Sequence, residues 1–298
     1  MVKINESIKS MKSPYKWWSV IMSALAIYII SSILTIVVAT PVLLYIISIA
    51  NADEMNPGSL QLFFVNMLSF PIVLLLLLIF NRFVYQHSER AMGFFKEQAL
   101  KKYLMGVCLG IGLILLVFLL NYATGAVAVR PNPNFSLLIF VAMILCFMVQ
   151  GLTEEVLARG FIMNKVAKQL GLPAGIIINS LFFAGLHLLN PGVTAISTYN
   201  IFLAGVLFSL LFYWSDNIWL TGATHSVWNI MLGVVLGSEV SGMHLPSSLL
   251  ITTSNSRDHF LNGGHFGLEG GIFTTLMTLV MSGVLIMMIQ RKSKGIIK

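Results

Sequence analysis

The chain has 298 residues, 57 % of them apolar and only 10 % Asp, Glu, Lys or Arg, and its mean hydropathy is +0.88. That balance excludes an ordinary soluble domain and marks a membrane protein. The net charge of +7 is no nucleic-acid signal, because the basic residues flank apolar runs, where they orient a membrane chain.

A spanning helix needs about 20 apolar residues, each rising about 1.5 Å, to cross roughly 30 Å of hydrocarbon. Eight runs approach that length: 17–50, 60–81, 103–121, 135–158, 173–189, 199–214, 218–237 and 271–290. The expected fold is all-α, a polytopic transmembrane helix bundle of about eight spanning helices. The expected organisation is a cytoplasmic N-terminal segment over 1–16, a single membrane domain over 17–290 and a basic cytoplasmic tail over 291–298, with no repeat and no soluble domain. The first run is too long for one straight crossing, and Pro41 marks a kink near its outer end. Its Trp17 and Trp18 suit the headgroup level, and its apolar length far exceeds that of a cleavable signal.

Lys and Arg beside membrane ends are retained in the cytoplasm. With the N-terminus inside, 15 of the 18 basic residues fall there: Lys3, Lys9, Lys12, Lys16, Arg82, Arg90, Lys96, Lys101, Lys102, Lys165, Lys168, Arg291, Lys292, Lys294 and Lys298. Arg130 and Arg257 lie outside, and Arg159 falls within or at the edge of a membrane segment. Both termini are thus expected in the cytoplasm, and the short connections suit a bacterial plasma membrane. The stretch NRFVYQHSERAMGFFKEQALKKY interleaves basic residues with Phe83, Phe94 and Phe95, as an interfacial amphipathic helix or a solvated basic loop does. Cys108 and Cys146 lie in apolar runs and are expected to pack rather than pair. The outer loop Ser238–Gly270 is rich in Gly, Ser and Asn, and its His244, His259 and His265 read as surface residues rather than a metal site.

An ionisable group inside the bilayer costs about 2.5 to 3.5 kcal/mol or more, so each one present calls for a reason. Of 11 carboxylates only Glu154 and Glu155 fall in or against a spanning run, and of six histidines only His187 and His225 do. Asn66, Asn179, Asn229 and Arg159 are the other strong polar groups there. Residues four apart share a helix face. Glu155 and Arg159 have that spacing, with the acid N-terminal to the base; so do Phe183 and His187 in FAGLH, and His225 and Asn229 in HSVWN. Counting helical rise from each cytoplasmic end puts Glu154 roughly 16 Å deep, His225 roughly 14 Å and His187 roughly 24 Å, a spread that tilt or a break near Gly160 or Pro173 removes. Three helices can then meet at one buried polar site. Taken singly, each group has a structural explanation: Asn229 as helix glue, Phe183 as core, Glu155 with Arg159 as a neutralised pair. Glu154 does not, for its own helix offers no second base. A second carboxylate in a low dielectric is a group able to take and return a proton near neutral pH.

The order E-E-x-x-x-R, F-x-x-x-H, H-x-x-x-N over Gly151–Gly233 resembles the CPBP (Abi) family of intramembrane proteases, which includes the CAAX prenyl endopeptidases and bacteriocin-immunity proteins. The expected core of that kind is about 135–237. The resemblance implies that Glu154 is the general base on a water, assisted by His187. It further implies that His225 and Asn229 supply oxyanion donors and that Glu155 and Arg159 form a supporting ion pair beside Phe183. Peptide hydrolysis asks for the same division of labour, and no Ser or Cys nucleophile is required.

Three other readings stay open. Glu154, His187 and His225 are types that bind catalytic zinc, although the H-E-x-x-H helix is absent. A proton-coupled transporter also buries carboxylates and histidines, but usually in both halves of the chain. A non-enzymatic membrane partner or immunity protein of the same family keeps the motifs without using them. The expected partners are the bilayer and a membrane-associated protein or peptide substrate, with no cofactor and no nucleic acid. A bacteriocin-related peptide, a pheromone precursor or an envelope protein suits a bacterial host better than a prenylated protein.

Overall fold

A computed structural model describes residues 5–12, 15–49 and 57–296; Lys3 and Lys298, placed in the cytoplasm by sequence, lie outside the described residues. In chain order the elements are α1 (Glu6–Lys9), α2 (Trp17–Leu34), α3 (Thr40–Ile49), α4 (Pro57–Ile79), α5 (Ala99–Ala123), β1 (Val127–Pro131), α6 (Leu137–Glu155), α7 (Asn164–Leu170), α8 (Leu172–Leu186), α9 (Ala195–Ser215), α10 (Ile218–Asn229), β2 (Leu250–Ser254), α11 (His259–Asn262) and α12 (Ile272–Ser293).

Six helical segments among the described residues are long and apolar enough to cross a membrane: Trp17–Tyr45, Leu60–Val84, Ala99–Ala123, Leu137–Leu170, Ala195–Ser215 and Ile272–Ser293. Six of the eight expected spans are found by length and composition. The run at 173–189 becomes α8, which has 15 residues and at about 1.5 Å per residue reaches about 22 Å, short of the roughly 30 Å core. The run at 218–237 becomes α10 and a following π-helical turn, Ile230–Val235. It carries Thr221, Thr224, His225, Ser226 and Asn229, all buried. A helix walled by other helices instead of lipid need not be apolar.

Close approach makes that enclosure possible. On α5 a Cβ at Gly110 would stand 2.6 Å from the Thr224 carbonyl oxygen, and on α6 one at Gly151 would stand 2.5 Å from the Ser226 amide nitrogen. Small residues let backbones of membrane helices approach closely. The glycine that opens GLTEE is thus what seats α10 against α6, where Ser226 Oγ also donates to the Met148 carbonyl at 3.1 Å.

The first run is interrupted where Pro41 demands it. A proline lacks the N–H and crowds the carbonyl of the preceding turn, and the helix widens into a π segment over Thr35–Ala39 just before it. A second π segment, Val156–Met163, joins α6 to α7, and Gly171 ends that rod with φ +88. The uniform rise used for the depth of Glu154 does not hold across it.

The ends of the bundle are distinct. At one end Asn5 donates to the Tyr213 carbonyl at 2.8 Å, Ser7 Oγ to Asp216 at 2.5 Å, and Lys292 Nζ to the Trp214 carbonyl at 3.0 Å. At the other, β1 pairs antiparallel with β2, Val127 opposite Ser254 through Pro131 opposite Leu250. This two-stranded sheet is the exception to an all-α fold.

Other expectations are corrected. The stretch Asn81–Tyr103 begins neither as an amphipathic helix nor as a solvated loop. Asn81, Tyr85, His87, Ala91 and Met92 are buried; the stretch starts in a π-helical segment, Phe80–Val84, that continues α4, and a short 3-10 turn at Glu89–Met92 follows before α5 begins. Lys165 is not solvated but fully buried, its Nζ donating to Asn81 Oδ1 at 2.8 Å and standing 4.1 Å from the Phe161 ring centroid. Cys108 and Cys146 are both free, but Cys108 is exposed instead of packed.

Candidate active site

The end of α6 carries Glu154 and Glu155 into the interior and the π segment that follows carries Arg159; α10 brings His225 and Asn229 there, and α8 brings Phe183 and His187. Arg159 and Glu155 are fully buried, and Glu154, His225 and Asn229 nearly so. Asn66 is exposed and Asn179 donates to Ser209 Oγ at 2.6 Å, so neither joins the site.

Glu155 is the hub of one half. Its Oε1 accepts from Arg159 Nη1 at 2.8 Å and faces His225 Nδ1 at 2.9 Å. Arg159 Nη2 donates to the Gly205 carbonyl at 3.1 Å, and its guanidinium lies 5.0 Å over the Phe183 ring and 5.4 Å over Phe208. Phe208 also stacks on the His225 ring at 5.1 Å. A buried guanidinium is therefore held by one carboxylate, one carbonyl and two aromatic faces, as an unsolvated cation requires.

Glu154 belongs to the other half. Its Oε1 accepts from Gln150 Nε2 at 2.7 Å, and Gln150 Oε1 accepts from Asn229 Nδ2 at 2.8 Å. Its Oε2 stands 3.6 Å from His225 Nε2, too far for a hydrogen bond. Across from them His187 Nδ1 meets the Phe183 carbonyl at 2.8 Å. A carbonyl only accepts, so Nδ1 carries the proton, and neutral His187 keeps Nε2 as an acceptor. Glu154, His187, His225 and Asn229 all line one cavity of about 370 Å³ between the helices.

Sequence spacing paired His225 with Asn229 as neighbours on a helix; the structure ties His225 to Glu155 and Asn229 to Gln150. Gln150 escaped the sequence reading, yet it stands four residues before Glu154 in an apolar run, the same spacing that marked the other pairs. Phe208 and the far wall of the cavity carried no sequence signal. There Glu269 accepts from Trp228 Nε1 at 2.8 Å and from the Ser241 amide at 2.6 Å.

Among the described residues no three His, Cys, Asp or Glu side chains are grouped to hold a metal ion. In the outer loop, His244 stands 3.7 Å from Glu239, which holds the histidine's pKa above its ordinary value and lowers that of the glutamate.

Residues 135–231 match the Rce1-like family, type II CAAX prenyl endopeptidases. The Rce1-like segment is about a third of the chain and runs from just before α6 to just beyond Asn229, so it contains every site residue read from the sequence. The resemblance seen in the three motifs is borne out over that segment, and it points to a peptidase of the CAAX-protease type. No curated protein matches the chain.

Proposed function

We propose that the chain is an intramembrane endopeptidase that hydrolyses a peptide bond of a membrane-associated protein or peptide with a water activated by Glu154, without a metal. The observation that carries this reading is the convergence of Glu154, His187, His225 and Asn229 on one buried cavity.

Glu154 takes a proton from water as its oxygen attacks the scissile carbonyl carbon, and His187, with Nε2 as acceptor, helps orient that water. The developing oxyanion is met by Asn229, whose second amide hydrogen is not used by Gln150, and by His225 at Nε2. The donor role at Nε2 needs the ring to carry both protons, and Glu155 supplies the counter-charge at Nδ1. When the C–N bond breaks, Glu154 returns its proton to the leaving amine. The Arg159–Glu155 pair positions His225 and stays apart from the reacting atoms.

The metal question is decided by chelation of the purified full chain in detergent, assayed on a fluorogenic membrane-associated peptide. Activity is expected to survive exhaustive chelation, with zinc well below one per chain. Loss of activity on chelation and its return with zinc would replace this mechanism with a zinc hydrolase.

A smaller change tests the oxyanion donors. Asn229→Ala is expected to lower kcat by about 10² to 10³-fold with KM little changed, because the contact strengthens only in the transition state. A rise in KM at constant kcat would make Asn229 a ground-state binding residue instead.

The same reading places the protein in a bacterial plasma membrane with both termini cytoplasmic. Fusions of a compartment reporter at Asn255, beside β2, are expected to read outside. A cytoplasmic signal there would reverse the orientation.

A further inference from the structure

A second cavity, of about 820 Å³, opens between α5 and α12, with α9 and α10 behind it. Its lining is apolar apart from Lys101 at one end and Thr224, and at the inner end Leu113, Leu207 and Phe208 are shared with the catalytic cavity. From Lys101 to Leu113 along α5 is about 18 Å at 1.5 Å per residue, close to one leaflet's share of roughly 30 Å of hydrocarbon.

The mouth is cationic. Lys102 Nζ lies 5.4 Å over the Trp214 ring, Lys292 Nζ donates to the Trp214 carbonyl at 3.0 Å, and Lys101 borders the opening. Among the described residues none of the three forms an ion pair. Two lysines on Trp214 and a third at the opening, with no acid among their partners, are complementary to an anionic headgroup, and Trp214 suits the interfacial level.

We propose that this cavity binds an anionic glycerophospholipid of the bilayer, its phosphate on Lys101, Lys102 and Lys292 and one acyl chain inserted along α5 as far as Phe208. Because Phe208 stacks on His225, the chain end lies one ring away from the polar site. Binding itself is independent of the catalytic proposal.

The test uses the full chain in a neutral detergent, titrated with phosphatidylglycerol or with phosphatidylcholine of the same acyl chains. Phosphatidylglycerol is expected to raise the apparent unfolding temperature by several degrees and phosphatidylcholine not to. The triple variant Lys101→Gln, Lys102→Gln, Lys292→Gln is expected to weaken phosphatidylglycerol by about tenfold or more, as the loss of three lysines at an anionic group implies. Cys108, exposed on the cavity wall, gives a second readout that does not depend on the stability of a variant. With Cys146→Ser as background, phosphatidylglycerol is expected to slow maleimide labelling of Cys108. Equal effects of the two lipids would mean ordinary annular contact and overturn the proposal, as would an unchanged affinity in the triple variant. Absence of any lipid effect, combined with a raised KM for a lipidated peptide in Cys108→Trp, would give the cavity to a substrate's lipid and also overturn it.

Discussion

Glu154→Gln is expected to abolish cleavage almost entirely while leaving the chain folded. The amide keeps the shape of the carboxylate and can still accept from Gln150, which lies 2.7 Å from Oε1 in the parent, but it takes no proton from water. Loss of a general base typically costs about 10² to 10⁴-fold, and the loss is expected in kcat. Folding is preserved because Glu154, unlike Glu155, accepts no hydrogen bond from a cation: Gln150 is its bonded partner, and His225 Nε2 stands 3.6 Å away. The measurement is cleavage of a membrane-associated peptide by variants whose unfolding temperature in detergent matches the parent. Cleavage at the parental rate would remove the peptidase mechanism proposed for this site and leave a non-enzymatic membrane partner as the better account.

The second large effect is on stability. Arg159→Met strips Glu155 of its 2.8 Å partner, leaves the Gly205 carbonyl with Ser209 Oγ, at 2.6 Å, as its side-chain donor, and strands a fully buried carboxylate with His225 alone. Breaking a buried ion pair from one side costs about 3 to 5 kcal/mol, whereas removing both charges often costs far less. The double variant Glu155→Gln, Arg159→Met is therefore expected to unfold at a higher temperature than Arg159→Met alone, although it carries one more change. The glutamine still offers an oxygen to His225 Nδ1. If single and double variants unfold together, the pair contributes nothing through its buried charge and its place is only steric.

These two expectations rest on different kinds of knowledge. That Glu154 and Glu155 are buried was legible from the chain, because only these two carboxylates stand in or against its apolar runs. The i, i+4 spacing correctly joined Glu155 to Arg159, since that contact lies within one continuous helical rod. What spacing along one helix does not contain is contact between helices, so the bond from Glu155 to His225, 70 residues apart, and the bridge of Gln150 to Asn229 came only with the fold.

The membrane class was likewise legible in the sequence, and six of the eight apolar runs correspond to helices long enough to cross, since a lipid-facing helix must be apolar along a length set by the bilayer. α8 and α10 fall outside that rule: α8 has only 15 residues and ends beside His187, and α10 is polar and enclosed by protein. The β1–β2 pair joins two loops far apart in the chain, and no local pattern chooses such a partner. The burial of Lys165 is of the same kind. A lysine at the end of an apolar run reads as a cytoplasmic anchor, and only tertiary packing, which laid Asn81 and the Phe161 ring against its ammonium, turned it inward.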